Sequence, residues 1–108
     1  GAIRTMKASD IPSSKTVQTH ILANKIKHGW NTTDTNFEML LAYHEMAELT
    51  TALLKDDHAN IAEELADITI YLLGIAEMTD VDLAQAVHKK VAINDHRVYD
   101  AQGHKHLE

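Results

Sequence analysis

"HEMAELTTALLKDDHANIAEELAD", residues 44–67, decides how the chain folds. Apolar residues recur every third or fourth position on both sides of "KDDH" (55–58), as they do along one face of a helix. The four residues between are polar, and Asp57 stands where an N-cap would open a new helix. The stretch therefore reads as two helices joined by a tight turn and packed antiparallel. Each helix carries a pair of acids three positions apart, Glu45 with Glu48 and Glu64 with Asp67. Residues at that spacing share a face. On the first helix the face continues through Leu41, Leu49 and Ala52, and on the second through Ile68, Tyr71 and Ile75. Acids inside an apolar stripe are in the wrong place for solubilising charge.

Counting from the turn sharpens the pattern. Glu48 and Glu64 are each eight residues from Asp56, and Glu45 and Asp67 are each eleven. Equal distances along antiparallel helices place Glu48 level with Glu64 and Glu45 level with Asp67, so four carboxylates are expected to converge on one groove. Close anions in an apolar groove repel and hold one another's protons. A divalent cation relieves that repulsion, and all-oxygen ligation favours Mg²⁺, Mn²⁺ or Ca²⁺ over zinc or copper. Mg²⁺ suits an open groove best, because it keeps waters and binds substrate phosphates through a few carboxylates.

Outward from this hairpin, punctuation is sparse, with one Pro and four Gly in 108 residues, so long helices are expected. Val17, Ile21, Ile26 and Trp30 recur roughly at helical spacing and predict a first helix from Lys15 to His28, ended by Gly29. Thr35 with Glu38 reads as a capping box for a second helix, Asn36 to about Lys55. The third runs to about Met78. Thr79 with Asp82 reads as the cap of a fourth, extending to about Arg97. The β-branched run Ile68–Thr69–Ile70 lies within the longer helical pattern and is read as helix. The expectation is an all-α four-helix bundle over residues 15–99. "GAIRT" before Met6 reads as a vector remnant within a flexible 1–14, and the closing "LE" as a cloning scar in a flexible tail, 100–108.

Composition narrows the function classes. The length suits one domain with a single core. Ten basic against sixteen acidic residues argue against a nucleic-acid partner, which needs a cationic face. The apolar runs are too short and too often interrupted to span a membrane, and no signal-peptide pattern is recognised. The absence of cysteine excludes disulfides and thiolate metal sites, and fits a cytoplasmic setting. A di-iron bundle needs Glu-x-x-His on two helices, and a zincin needs His-Glu-x-x-His. "HEMAE" begins like the latter but its fifth residue is Glu48. Neither a Walker A loop nor a Gly-x-Ser-x-Gly elbow is present.

The paired acids resemble the all-α nucleoside triphosphate pyrophosphohydrolases of MazG type, which carry Glu-Glu-x-x-Glu, a spacer and Glu-x-x-Asp. "HEMAE" (44–48) and "ELAD" (64–67) are similar to that pattern, and "KVAINDHR" (90–97) is similar to a Lys/Asn/Arg segment on the family's last helix. One position departs: His44 stands where the first Glu is usual. The resemblance implies hydrolysis of a (d)NTP to the monophosphate and pyrophosphate with Mg²⁺, or Mn²⁺ as a substitute, by a homodimer or homotetramer. Glu45, Glu48, Glu64 and Asp67 would be the metal ligands, with Glu45 and Glu48 the candidates for general base. Likeness to the dCTP pyrophosphatase branch implies a pyrimidine deoxynucleotide and places Asn94 near the sugar.

Lys90, Asn94 and Arg97 fall on one face of the fourth helix, where they could bind phosphate or sugar oxygens; Lys90 and Arg97 equally suit a solvated helix end. Tyr71, one turn beyond Asp67, is either core wall or nucleotide contact. Trp30 could stack a base or close the first helix, and His20 could reach the same pocket or face solvent. A non-catalytic helical module that binds nucleotide or a partner is the alternative, and His44 is the feature that favours it.

Overall fold

The computed structural model describes residues 14–99 and 105–107, with side chains described for residues 14–96. Four helices follow one another: α1 (Ser14–His28), α2 (Thr35–Leu54), α3 (His58–Met78) and α4 (Leu83–Asp95). A short antiparallel ladder follows, pairing β1 (Arg97–Tyr99) with β2 (Lys105–Leu107) in the register Arg97↔Leu107, Val98↔His106 and Tyr99↔Lys105. The all-α expectation holds for the body of the chain, and this ladder is an addition to it. The readings of residues 1–13, 100–104 and 108 as remnant, tail and scar lie outside the described residues.

Helices α2 and α3 form the expected hairpin, and α1 packs across α3. The turn is made by Asp56 in the left-handed region (φ 52°), which Asp tolerates better than most side chains, and by Asp57, whose side chain accepts from Asn60 N at 3.3 Å. Gly29 ends α1 at φ 69°, and Trp30 N reaches back to Lys25 O at 2.8 Å. The apolar stripes predicted around the acids do face inward: Ala52 is buried, and Leu41, Leu49, Ile68, Tyr71 and Ile75 are half-buried.

Two caps differ from expectation. Asp34, not a Thr35–Glu38 box, caps α2, accepting from Phe37 N at 3.0 Å. This frees Glu38 to turn inward, where it is 1% exposed and pairs with the Lys25 ammonium of α1. Asp82 alone caps α4, accepting from Gln85 N at 3.2 Å, while Thr79 closes α3. Helix α4 stops at Asp95, with His96 as its C-cap, so Arg97 begins β1 instead of lying on the helix.

Gln18 fastens α1 to the α3–α4 connection. It is wholly buried, donates to Val81 O at 2.8 Å and to Glu77 Oε2 at 3.3 Å, and accepts from Leu83 N at 2.9 Å. Lys15 adds an ion pair to the same Glu77 at 3.0 Å. Among the described residues the buried apolar side chains are only Ala42, Ala52 and Ala76, whereas Leu54, Leu40 and Leu65 are half or more exposed. The polar fastening at Gln18 therefore carries more than its usual share of the packing between α1 and the rest. Replacing it leaves the part-buried Val81 carbonyl and Leu83 N–H without this partner, each costing about 1–2 kcal/mol. Gln18→Leu is expected to lower unfolding stability in urea by about 2–4 kcal/mol. A Thr19→Ala control on the exposed side should change it by under about 0.5 kcal/mol.

Candidate functional site

The hairpin register delivers the acids as counted, with one exception. Single carboxylate oxygens of Glu45, Glu64 and Asp67 all lie within 4.8 Å of one another, each on a half-buried residue. Glu45, eleven residues before the turn, is level with Asp67 as expected, and it also reaches Glu64 one turn nearer the turn. Glu48 does not join them. Its side chain is 53% exposed and lies 3.7 Å from Nε2 of His44, one turn back on α2. Three like charges already occupy the groove, so a fourth carboxylate lowers its energy by turning toward an imidazole. His44 is itself 69% exposed.

Glu64 bears the cost of this crowding. Its carboxyl is pushed up from 4.5 to about 7, first by hydrogen bonding with the Glu45 carboxylate, then by burial, then by the charges of Glu45, Asp67 and Glu48. Its Oε2 is out of contact with solvent and has no hydrogen-bond partner. An orphaned buried oxygen among three carboxylates is a donor set for a hard cation. Oxygens within 4.8 Å of one another are close enough to be held by one ion with bonds of about 2.1–2.4 Å. Glu45, Glu64 and Asp67 could hold Mg²⁺ or a similar ion.

Two of these acids open onto a cleft of about 770 Å³ between α1, α2 and α3. Glu45 and Asp67 line one part of it, with Tyr71 and Ile70 beside them. His20, Ile21 and Val17 of α1, together with Trp30 and Phe37, supply an aromatic and aliphatic wall. Lys25, Asn31 and Glu38 form a polar floor. Tyr71 keeps its proton to higher pH than usual, through burial first and then through the charges of Glu45, Glu38 and Asp67, so its hydroxyl stays a donor. Three residues read from the sequence as pocket candidates, His20, Trp30 and Tyr71, are thus brought to one cleft with the acids. Lys90 and Asn94 are not: both are exposed on α4, outside the cleft lining. Arg97 is in β1, and its side chain lies outside the described residues.

The sequence reading missed the Lys25–Glu38 pair. Its signal was present, because Glu38 is seven residues before Glu45 and therefore two turns away on the same face of α2. Assigning Glu38 to a capping box concealed it.

The raised Glu64 pKa carries a direction for stability. Between 4.5 and about 7 the unfolded chain sheds a proton that the folded chain retains, so metal-free stability falls as pH rises across that window. In EDTA, Glu64→Gln is expected to lose this component. Its thermal midpoint should fall less than the parent's between pH 5 and 7.5, and equal slopes in the two proteins would contradict the assignment. Adding Mg²⁺ at pH 7.5 should raise the parent's midpoint and leave that of Glu64→Gln nearly unchanged.

A family model described as MazG-like matches residues 37–108, which takes in all of the acids and begins just after the α1 wall of the cleft. A dATP/dGTP diphosphohydrolase of Salmonella phage PMBT28 is 47% identical over 55 residues, covering 51% of this chain and 17% of that protein. The chain thus spans a small part of the length of the curated relative it matches. No solved structure matches it at a significant level. With most of its length under the family match and three acids of the expected motif gathered in one groove, the chain belongs to the MazG-like family.

Proposed function

We propose that the chain hydrolyses a deoxynucleoside triphosphate to the monophosphate and pyrophosphate with a bound divalent cation, Mg²⁺ first and Mn²⁺ as a substitute. The observation that supports this most directly is the joining of the Glu45–Glu64–Asp67 cluster to an aromatic-walled cleft. Such an arrangement suits a ligand that is anionic at one end and flat and apolar at the other. The name of the phage relative, which acts on dATP and dGTP, supports the same substrate class.

Each residue has a defined task in this reading. Glu45, Glu64 and Asp67 hold the cation, which when bound would offset the triphosphate charge and acidify a coordinated water. Water attacks the α-phosphorus, the bond from that phosphorus to the bridging oxygen breaks, and pyrophosphate leaves with the bond electrons. A carboxylate takes the water proton. Glu48 is the first candidate, because it flanks the triple without belonging to it; to act it would turn from the His44 imidazole, 3.7 Å away, into the groove. Glu45 is the other base candidate. Tyr71 orients the nucleotide from one wall, while Trp30 and His20 contact the base from the other. Lys90, Asn94 and Arg97 remain proposed contacts to phosphate and sugar, on the strength of the similar Lys/Asn/Arg segment in the family. The pyrimidine preference implied by the dCTP pyrophosphatase branch stands beside a relative named for purines, and the base is left to a panel of substrates.

A homodimer or homotetramer is part of the proposal. Leu40 at 65% exposure and Leu54 at 84% are apolar surface that a second copy would cover, as are Val87 and Val91 of α4. No described helix is long and apolar enough to cross a membrane, and a cytoplasmic setting fits a nucleotide-pool enzyme.

The test is pyrophosphate release from dATP, dGTP, dCTP and dTTP with Mg²⁺, comparing the parent with Glu48→Gln and Asp67→Asn. Release by the parent is expected to fall by about 100-fold or more in each variant. Nucleotide binding with no release by the parent would instead identify a non-catalytic module. Retention of rate in Glu48→Gln alone would assign the base to Glu45.

A further inference from the structure

The Lys25–Glu38 pair at the floor of the cleft is used by none of the chemistry above. Glu38 is 1% exposed, and its two oxygens differ. Oε1 accepts from the Lys25 ammonium and from Asn31 Nδ2 at 3.3 Å. Oε2 is buried and has no partner. An ionised carboxylate that already has its counterion has no structural need to leave one oxygen bare, and a bare buried acceptor is costly. The residue lines the same cleft as Trp30, Phe37 and Tyr71, so a small rotation of its carboxylate would bring this buried oxygen to the surface a planar ligand meets.

Its position along the cleft fixes which part of a ligand it meets. Glu38 and Glu45 lie two turns apart on one face of α2, about 10 Å along the axis. With the phosphates held at Glu45 and Asp67, the far edge of the base is what reaches Glu38. Asn31 Nδ2 already donates its two hydrogens to Asp34 O at 2.7 Å and to Glu38 Oε1 at 3.3 Å, so it has none left for Oε2. The Asn31 side chain is further pinned by accepting from Asp34 N at 3.0 Å.

We propose that Glu38 Oε2 accepts a hydrogen bond from the exocyclic amino group at adenine C6 or cytosine C4, selecting these nucleotides against thymine and uracil, which carry a carbonyl at the matching position. The C4 carbonyl of thymine and uracil turns its lone pairs toward a fixed negative oxygen. Discrimination of this kind is strong because the disfavoured base leaves the acceptor unpaired as well as repelled. Glu38 and Lys25 belong to a wall the family match only partly covers, since that match starts at Phe37. The inference rests on the nucleotide reading of the cleft, but not on turnover.

The test uses the single Trp of the chain, Trp30, as the probe. Quenching of its fluorescence is titrated with dAMP, dCMP and dTMP in Mg²⁺ buffer, and with the 2′-deoxy monophosphate of unsubstituted purine, which lacks the amino group. On the unmodified chain, dAMP and dCMP should bind about tenfold or more tighter than dTMP, and dAMP should exceed the purine analogue by a similar factor. In Glu38→Gln the amide can turn its NH₂ toward the cleft, and the preference for dAMP over dTMP should shrink to about twofold or reverse. Binding of all four ligands within about twofold by the unmodified chain would overturn the assignment, as would the absence of quenching by any of them. Because none of these titrations requires hydrolysis, lack of pyrophosphate release would leave the base contact standing. Equal binding of the monophosphates would leave the hydrolase reading standing.

Discussion

Helices α2 and α3 leave the Asp56 turn in antiparallel register, and that register brings the Glu45 carboxylate against Glu64 and Asp67. The repulsion this creates is the constraint around which the rest is arranged. It adds to the hydrogen bond with Glu45 and the burial that hold a proton on Glu64 to about pH 7, and it accords with Glu48 standing beside His44. A fold selected for stability alone would place alanine or leucine at such positions, as it does at Ala42 and Ala52 on the same helix. Here the hairpin accepts unfavourable electrostatics in a half-buried groove, and a cation is the species that reverses their sign.

Charge at one end and apolar surface beyond it give the cleft a direction. The wall that completes it comes from α1, which is held in place mainly by polar contacts: Gln18 to the α3–α4 connection, Lys15 to Glu77, and Lys25 to Glu38. Polar fastening is directional, so it fixes the position of the wall closely while burying little apolar area. The apolar area left exposed on α2, α3 and α4 then falls to other copies of the chain in the oligomer proposed above.

Much of this was legible in the sequence because it follows from spacing. Helical period and the polar "KDDH" locate the hairpin, and counting from Asp56 pairs Glu45 with Asp67. Gly29 and Asp57 marked helix ends because their chemistry permits few alternatives. What spacing could not settle was the choice between two local uses of one residue. Glu38 can cap a helix or bury itself against a cation, and the decision was made by Asp34, a better cap one residue earlier, and by Lys25, thirteen residues away on another helix. Glu48 is the same kind of case. Its level on the helix was right, but its rotamer answers to His44 and to the charges across the groove. The partners of Gln18 lie at the end of α3 and beyond it, at a separation that periodicity does not register.

The central claim is that the Glu45–Glu64–Asp67 cluster binds a divalent cation beside the cleft. It is tested most directly by paramagnetic Mn²⁺ in proton NMR, with the Tyr71 ring as reporter, since that ring lines the cleft together with Glu45 and Asp67. Substoichiometric Mn²⁺ should broaden the Tyr71 signals in the parent chain, excess Mg²⁺ should restore them, and Asp67→Asn should largely abolish the effect. Tyr71 signals that stay sharp while other resonances broaden, or that broaden equally in Asp67→Asn, would contradict the account.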